Sequence, residues 1–209
     1  MFKFAPEGYP FIAFFAVATI IVYIIGGTWL ALLLLLLTGF MLFFFRDPER
    51  TPPPGDAVFV APADGRIILI QNVAEETYLK ERAIEVSIFM SPFNVHVNRA
   101  PCDGVVECVV HTPGKFLSAF KPEASLQNEN IAMLLKGKSG RVLVRQVAGA
   151  IARRAVCRVR PGDCLKKGER YGVIKFSSRL DIYLPEDTVL KVKLGDKVTA
   201  GETIIGTRG

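Results

Sequence analysis

The sequence predicts a mainly β domain preceded by a hydrophobic α-helical membrane anchor, and three observations predict it. From Phe11 to Phe45 there is no Asp, Glu, Lys, Arg or His, so the apolar excess of a chain that is 50% hydrophobic gathers in one N-terminal block. Beyond that block, short runs rich in Val, Ile, Phe and Tyr alternate with Pro-Gly, Asp-Gly and Gly-Asp turns. Two turn-centred segments also recur in altered form. At 209 residues the chain accommodates one ordinary domain and an appendage, not two large domains, and the uncharged block excludes an ordinary soluble globular protein.

The anchor is assigned to residues 1–45. As one straight helix the uncharged run would measure about 50 Å, well beyond the roughly 30 Å of a bilayer core. Gly26-Gly27 divides it near its centre. Two short helices in a hairpin, or one helix whose ends overlap the interfaces, both fit. No small-x-small cleavage site precedes Arg46-Asp47-Pro48-Glu49-Arg50, so the arm reads as retained rather than as a signal peptide. Arg46 and Arg50, directly after the run, place the remainder on the cytoplasmic side of the cell membrane.

Residues 46–209 form the second domain, entered through the stiff spacer Thr51-Pro52-Pro53-Pro54-Gly55. Strands are expected at 57–61, 66–71, 84–89, 105–110, 140–147, 157–159, 171–176, 180–184 and 189–193, and helices at 131–136 and 148–155. Pro62-Ala63-Asp64-Gly65 recurs as Pro101-Cys102-Asp103-Gly104. Gly162-Asp163 with Gly168-Glu169 recurs as Gly195-Asp196 with Gly201-Glu202. This second pattern resembles the duplicated hairpin elements of biotinyl and lipoyl modules, although common turn chemistry alone could also produce it. A carrier role is not expected, since neither repeat offers a tip lysine flanked by small or methionine residues.

The net charge of +6 belongs to this second domain, because residues 1–45 carry only Lys3 and Glu7. A basic domain on a membrane tether suits an anionic lipid surface. No nucleic acid partner is expected, as no helix-turn-helix, zinc-finger or RNP pattern occurs. Cys102, Cys108, Cys157 and Cys164 form no CxxC pair, and with two histidines in the chain no metal site is expected. The cysteines read as reduced thiols.

Imidazole chemistry can rest only on His96 or His111. Asp64, in its Asp-Gly turn, could orient an imidazole or simply make the turn. Ser177-Ser178 interrupts an apolar frame between two strands, where a β-turn is the plainer account, and no GxSxG elbow surrounds it.

In order along almost the whole chain, Phe44-Phe45-Arg46-Asp47-Pro48-Glu49-Arg50, Pro62-Ala63-Asp64-Gly65, Ile88-Phe89-Met90-Ser91-Pro92-Phe93-Asn94-Val95-His96-Val97-Asn98-Arg99, Pro113-Gly114-Lys115-Phe116, Val144-Arg145-Gln146-Val147-Ala148-Gly149 with Ala152-Arg153-Arg154, Gly168-Glu169-Arg170-Tyr171-Gly172 and Phe176-Ser177-Ser178-Arg179-Leu180-Asp181 form a set of motifs. The set resembles the phosphatidylserine decarboxylase proenzymes of the short prokaryotic type.

The resemblance implies a zymogen that cuts itself between residues 177 and 178, giving a β chain of 1–177 and an α chain of 178–209. The Ser178 hydroxyl attacks the preceding carbonyl to form an ester. Elimination then leaves dehydroalanine, which hydrolyses to a pyruvoyl group and ammonia. That pyruvate-derived cofactor forms a Schiff base with the amine of phosphatidylserine and accepts the electrons released with CO2, so the lyase yields phosphatidylethanolamine in phospholipid biosynthesis. The family pairs an Asp and a His with the serine, which points to Asp64 and His96. Some relatives carry a second histidine where this chain has Arg99, and His111 is then the reserve. Arg99, Lys115 and Arg145 are the candidates for the phosphate or the serine carboxylate.

The family has Gly where this chain has Ser177, and the added Cβ restricts the backbone beside the bond to be attacked. A trapped proenzyme and a variant that still matures both fit. The partners implied are phosphatidylserine in the membrane and the two chains of one precursor, with a homodimer left open. Archaetidylserine is an alternative substrate. A non-enzymatic, membrane-anchored lipid-binding β module is the rival from another class. A metallopeptidase of similar duplicated layout would need more histidines than this chain has.

Overall fold

A computed structural model describes residues 3–115, 128–149, 155–175 and 178–208. The chain packs as two units, Met1–Glu49 and Arg50–Gly209.

In the first unit, a 3-10 turn at Pro6–Gly8 leads into α1 (Tyr9–Ile24), and α2 (Thr28–Phe44) follows. Gly26, at φ +87°, supplies the left-handed residue between them. The two helices lie side by side, with the Thr19 and Thr38 hydroxyls 3.5 Å apart. Phe11 at the start of α1 stacks on Phe45 just past the end of α2, at 5.6 Å between rings. The uncharged run therefore folds back on itself. Asp47 N–H donates to Lys3 O (2.8 Å) and Lys3 Nζ pairs with Glu49 (2.6 Å), which carries this unit a little past the apolar run. Pro6–Ile24 is long and apolar enough to cross a bilayer, and no α1 side chain is buried. A helix that is apolar all round, yet as uncovered by protein as α1, suits lipid rather than water.

In the second unit the described strands are β1 (Val58–Val60), β2 (Gly65–Glu75), β3 (Glu81–Met90), β4 (Val97–Arg99), β5 (Gly104–Thr112), β6 (Asn130–Gly137), β7 (Gly140–Ala148), β8 (Ala155–Cys157), β9 (Cys164–Leu165), β10 (Arg170–Ile174), β11 (Ser178–Pro185), β12 (Thr188–Leu190), β13 (Lys197–Val198) and β14 (Ile204–Arg208). Eight of them form an antiparallel sheet in the order β13-β2-β3-β11-β7-β6-β5-β9. Two smaller sheets, β1-β14-β12 and β4-β10-β8, accompany it. Alternation along the strands sends Val86, Ile88, Val144, Leu180 and Ile182 into the main core with Phe59, Tyr171 and Ile174.

The helix expected at 131–136 is instead part of β6. A short apolar run cannot be told from a buried helical segment by pattern alone. Here it pairs on both sides, with β5 and β7, and buries Ile131 through Leu135. The second expected helix, 148–155, begins at the last residue of β7 and ends at the first of β8, and residues 150–154 between them lie outside the described residues.

The echoed segments are matched bond for bond. Asp163 O accepts from Val106 N–H (2.9 Å) while Val106 O accepts from Gly162 N–H (2.8 Å). Asp196 O and Gly195 N–H make the same two bonds with Ile67 (2.9 Å each). Gly168 N–H donates to Ala100 O, and Gly201 N–H to Ala61 O, both at 2.8 Å. Val60 N–H to Pro101 O (2.8 Å) and Arg99 N–H to Pro62 O (2.9 Å) then tie the two halves together reciprocally.

Candidate active site

Ser178 opens β11, the strand at the middle of the large sheet. Its register partners are Met90, the last residue of β3, and Ala148, the last residue of β7. Three adjacent strands thus reach the same sheet end at this residue. Ser177 lies outside the described residues.

The loop after β3 brings His96 to that end. Asn94 N–H donates to Ser91 O (3.0 Å), and Asn94 Oδ1 accepts from both Ser91 N–H (2.9 Å) and Ser91 Oγ (2.7 Å), closing a tight Ser-Pro-Phe-Asn turn. The turn presents Asn94 O to His96 Nδ1 at 3.0 Å. A carbonyl can only accept, so Nδ1 carries the proton of the neutral ring and Nε2 is its basic nitrogen. His96 is 1% exposed, and its own carbonyl accepts from Ile174 N–H (3.2 Å) at the end of β10, the strand that precedes Ser178.

Asp64 stands at the same end, just ahead of β2. Arg66 is opposite Phe89, and Phe89 opposite Arg179, the residue after Ser178. Asp64 Oδ1 accepts from Ala200 N–H (2.8 Å), and Oδ2 pairs with Arg50 (3.1 Å), which also reaches Glu202 (3.1 Å). Asp103 accepts in the same way from Lys167 N–H (2.6 Å). Part of the Asp64 environment is therefore hairpin anchoring that both halves share. The pairing with Arg50 is particular to Asp64.

The basic candidates separate. Arg99 is buried, with Nη1 donating to Gly168 O (2.9 Å). Arg145, also buried, donates to the Tyr183 hydroxyl (3.1 Å) and approaches Glu75 (3.5 Å). Lys115 is exposed and lies on the β7 side of the site: Glu129 N–H donates to Lys115 O (3.1 Å), and Ala148 N–H to Glu129 O (2.9 Å). His111, half exposed on β5, pairs with Glu129 at 3.2 Å. Among the described residues no His, Cys, Asp and Glu cluster suited to a metal ion occurs.

Sequence reading missed a charge network on the second face of the sheet. Arg179 donates to Asp181 (2.6 Å), Ser87 (2.7 Å) and Glu85 (3.3 Å), and Glu85 accepts from Gln71 (2.7 Å) and Tyr183 (3.2 Å). Arg179, Asp181, Ser87 and Glu85 are all buried. Burial alone would lower the Arg179 pKa, but the charge and hydrogen bond of Asp181, with Glu85, outweigh it and hold the guanidinium above its ordinary range. Burial first, and then the Asp181 charge, push the Tyr183 hydroxyl far up. Arg179-Leu180-Asp181-Ile182-Tyr183 alternates as a half-exposed strand does, and only the burial of both faces distinguishes it.

Comparison with known proteins adds the following. The phosphatidylserine decarboxylase family model matches residues 37–206. A phosphatidylserine decarboxylase proenzyme of Desulfotalea psychrophila is 47% identical over 203 residues, covering 97% of this chain and 95% of that protein. One of Pelobacter propionicus is 48% identical over 211 residues, covering 97% and 96%, and one of Syntrophus aciditrophicus 45% identical over 205 residues, covering 97% and 96%.

Proposed function

The chain belongs to the phosphatidylserine decarboxylase family, and from that membership we infer that it is a membrane-associated lyase converting phosphatidylserine to phosphatidylethanolamine and CO2. The reaction is pyruvoyl-dependent, and the group is made from Ser178 when the chain cuts itself after Ser177. The observation that carries this reading is the position of Ser178 at the head of the central strand, beside the buried His96 loop.

The fold suits a group attached there. Each described strand from residue 178 onward is paired into a sheet, so an α chain of 178–209 keeps its place without a peptide bond to residue 177. The group supplies an electrophilic ketone for the serine amine and accepts the electrons that CO2 leaves behind. His96 Nε2 takes the Ser178 hydroxyl proton during processing, while Asn94 O fixes the ring through Nδ1. Asp64 supports this end of the sheet, and the family's pairing of an Asp with the His assigns it as the partner of His96. Lys115 or His111 borders the site from the β7 side, and the two interior arginines serve the fold.

The matched hydrogen bonds around Asp163 and Asp196 support reading the hairpins as duplicated, biotinyl/lipoyl-like elements. The hydrophobic hairpin holds the domain, on the cytoplasmic side, to the bilayer that contains its substrate. The test is release of CO2 from phosphatidylserine labelled in the serine carboxyl. Cyanoborohydride added with the lipid should block that release by fixing the substrate to the α chain.

A further inference from the structure

Arg66 and Lys197 are direct cross-strand partners on β2 and β13. Like charges placed opposite one another destabilise a sheet. Several other exposed cations of this unit are matched: Arg82 with Glu186 (2.7 Å), Lys138 with Asp56, Arg141 with Glu107 and Arg208 with Asp187 (2.8 Å each). Among the described residues neither Arg66 nor Lys197 has a carboxylate partner.

Both line a cleft of about 580 Å³ together with Asp64, Phe89, Ser91 and Asn94. The Asp64 charge is met by Arg50 at 3.1 Å, a cation that Glu202 shares at 3.1 Å, so Asp64 only partly offsets the two cations. Asn94 Oδ1 is occupied by Ser91, so the donor group this lining residue has left is its Nδ2 amide. Phe89 adds an apolar wall. The lining therefore presents two positive charges and an amide donor, the chemistry of an anion site.

The cleft lies within reach of the reacting residue. Ser91 follows Met90, the register partner of Ser178. Arg66 is separated from β11 by β3 alone, roughly 10 Å at about 4.8 Å per strand spacing. The amine and phosphorus of a serine phospholipid are four bonds apart, on the order of 5 Å.

We propose that Arg66 and Lys197 form the subsite for the phosphodiester of the serine phospholipid. The proposal rests on the decarboxylase reading for the identity of the lipid. Arg66 takes two phosphodiester oxygens through its planar fork, and Lys197 adds a point charge beside it. The headgroup amine then extends along the cleft toward residue 178.

The experiment titrates detergent-solubilised full-length chain with glycerophosphoserine and, separately, with inorganic phosphate, by calorimetry. Binding of glycerophosphoserine should weaken at least 10-fold in Arg66→Gln and in Lys197→Gln, and Arg66→Lys should restore most of it. Lys138→Gln, which removes the same unit charge elsewhere, should bind as the parent does. No binding by the parent chain, equal loss in Lys138→Gln, or inorganic phosphate binding as tightly as glycerophosphoserine would each overturn the proposal. Binding that depends on Arg66 in a chain that releases no CO2 from phosphatidylserine, even with Ser177→Gly, would uphold the subsite and refute the decarboxylase reading.

Discussion

Arg179 Nε donates to Asp181 Oδ1 at 2.6 Å on the buried second face of β11, and Arg179 is the residue next to Ser178. The guanidinium also reaches Ser87 and Glu85 on β3. Whatever happens at the bond before Ser178, the chain after it is held by charge as well as by the backbone ladder.

Arg179→Ala should therefore destabilise the chain by about 3–5 kcal/mol, because it leaves Asp181 and Glu85 buried without their cation. The Arg179→Met, Asp181→Leu double variant should be more stable than Arg179→Ala, since it removes both members of the closest pair. Denaturant unfolding of uncut Ser178→Ala chains measures both. Equal stability of Arg179→Ala and the parent would refute the buried-network account.

Asp64 and Asp103 share one structural bond but not one environment. If Asp64 also supports proton transfer, Asp64→Asn should slow processing by about 10²-fold while Asp103→Asn changes it little. His96→Gln should slow it by about 10²–10⁴-fold, a far larger effect on the rate of cleavage than on the melting temperature. Gel-resolved time courses distinguish the cases, and matched effects at the two aspartates would reduce Asp64 to hairpin anchoring.

Burial raises Cys102 from 9.0 to about 12 and raises the Tyr171 and Tyr183 hydroxyls above their ordinary 10.0. The folded chain holds these protons where the unfolded chain releases them. Their contribution is complete below pH about 9 and is lost as pH rises through the folded values, by up to about 1.4 kcal/mol per pH unit for each group. Melting temperatures should fall progressively between pH 9 and pH 11, and Tyr183→Phe should flatten that fall. A flat profile in the parent would contradict the assignment.

Much of this arrangement was legible in the sequence. The uncharged run and its central Gly-Gly showed a break in the anchor, and the repeated Pro-x-Asp-Gly and Gly-Asp segments correspond to matched hydrogen bonds. The strand at 130–137 was hidden because its burial on both faces erased the alternation that marks a strand. The sequence also gave no sign that Arg99 and Arg145 face inward, since an arginine in a strand looks the same whether it meets solvent or an interior acceptor. Arg66 and Lys197 went unremarked for a related reason: residues far apart in sequence become neighbours only through the β2–β13 pairing.

Deleting residues 1–49 removes the first packing unit and none of the proposed site residues. The remainder should be more soluble and should mature as the full chain does. Activity on phosphatidylserine in vesicles should fall more than activity on detergent-dispersed lipid. Equal loss in both assays would mean that the hairpin supports the site itself rather than tethering it.

Ser177→Gly should accelerate or restore self-cleavage, because glycine removes the Cβ beside the bond that Ser178 attacks. A mass-resolved time course after expression reads this directly. Rapid cleavage by the parent, with no gain on substitution, would refute the hindrance argument.

The most direct test of the central claim is the intact mass of the Ser177→Gly chain beside the same chain carrying Ser178→Ala. The first should resolve into fragments 1–177 and 178–209, the smaller lacking an N-terminal amine and gaining mass on reductive amination. The second should remain one chain and release no CO2 from phosphatidylserine. A pyruvoyl group or CO2 release in the Ser178→Ala chain, or an α chain that begins at another residue, would contradict the assignment of Ser178 as the source of the cofactor.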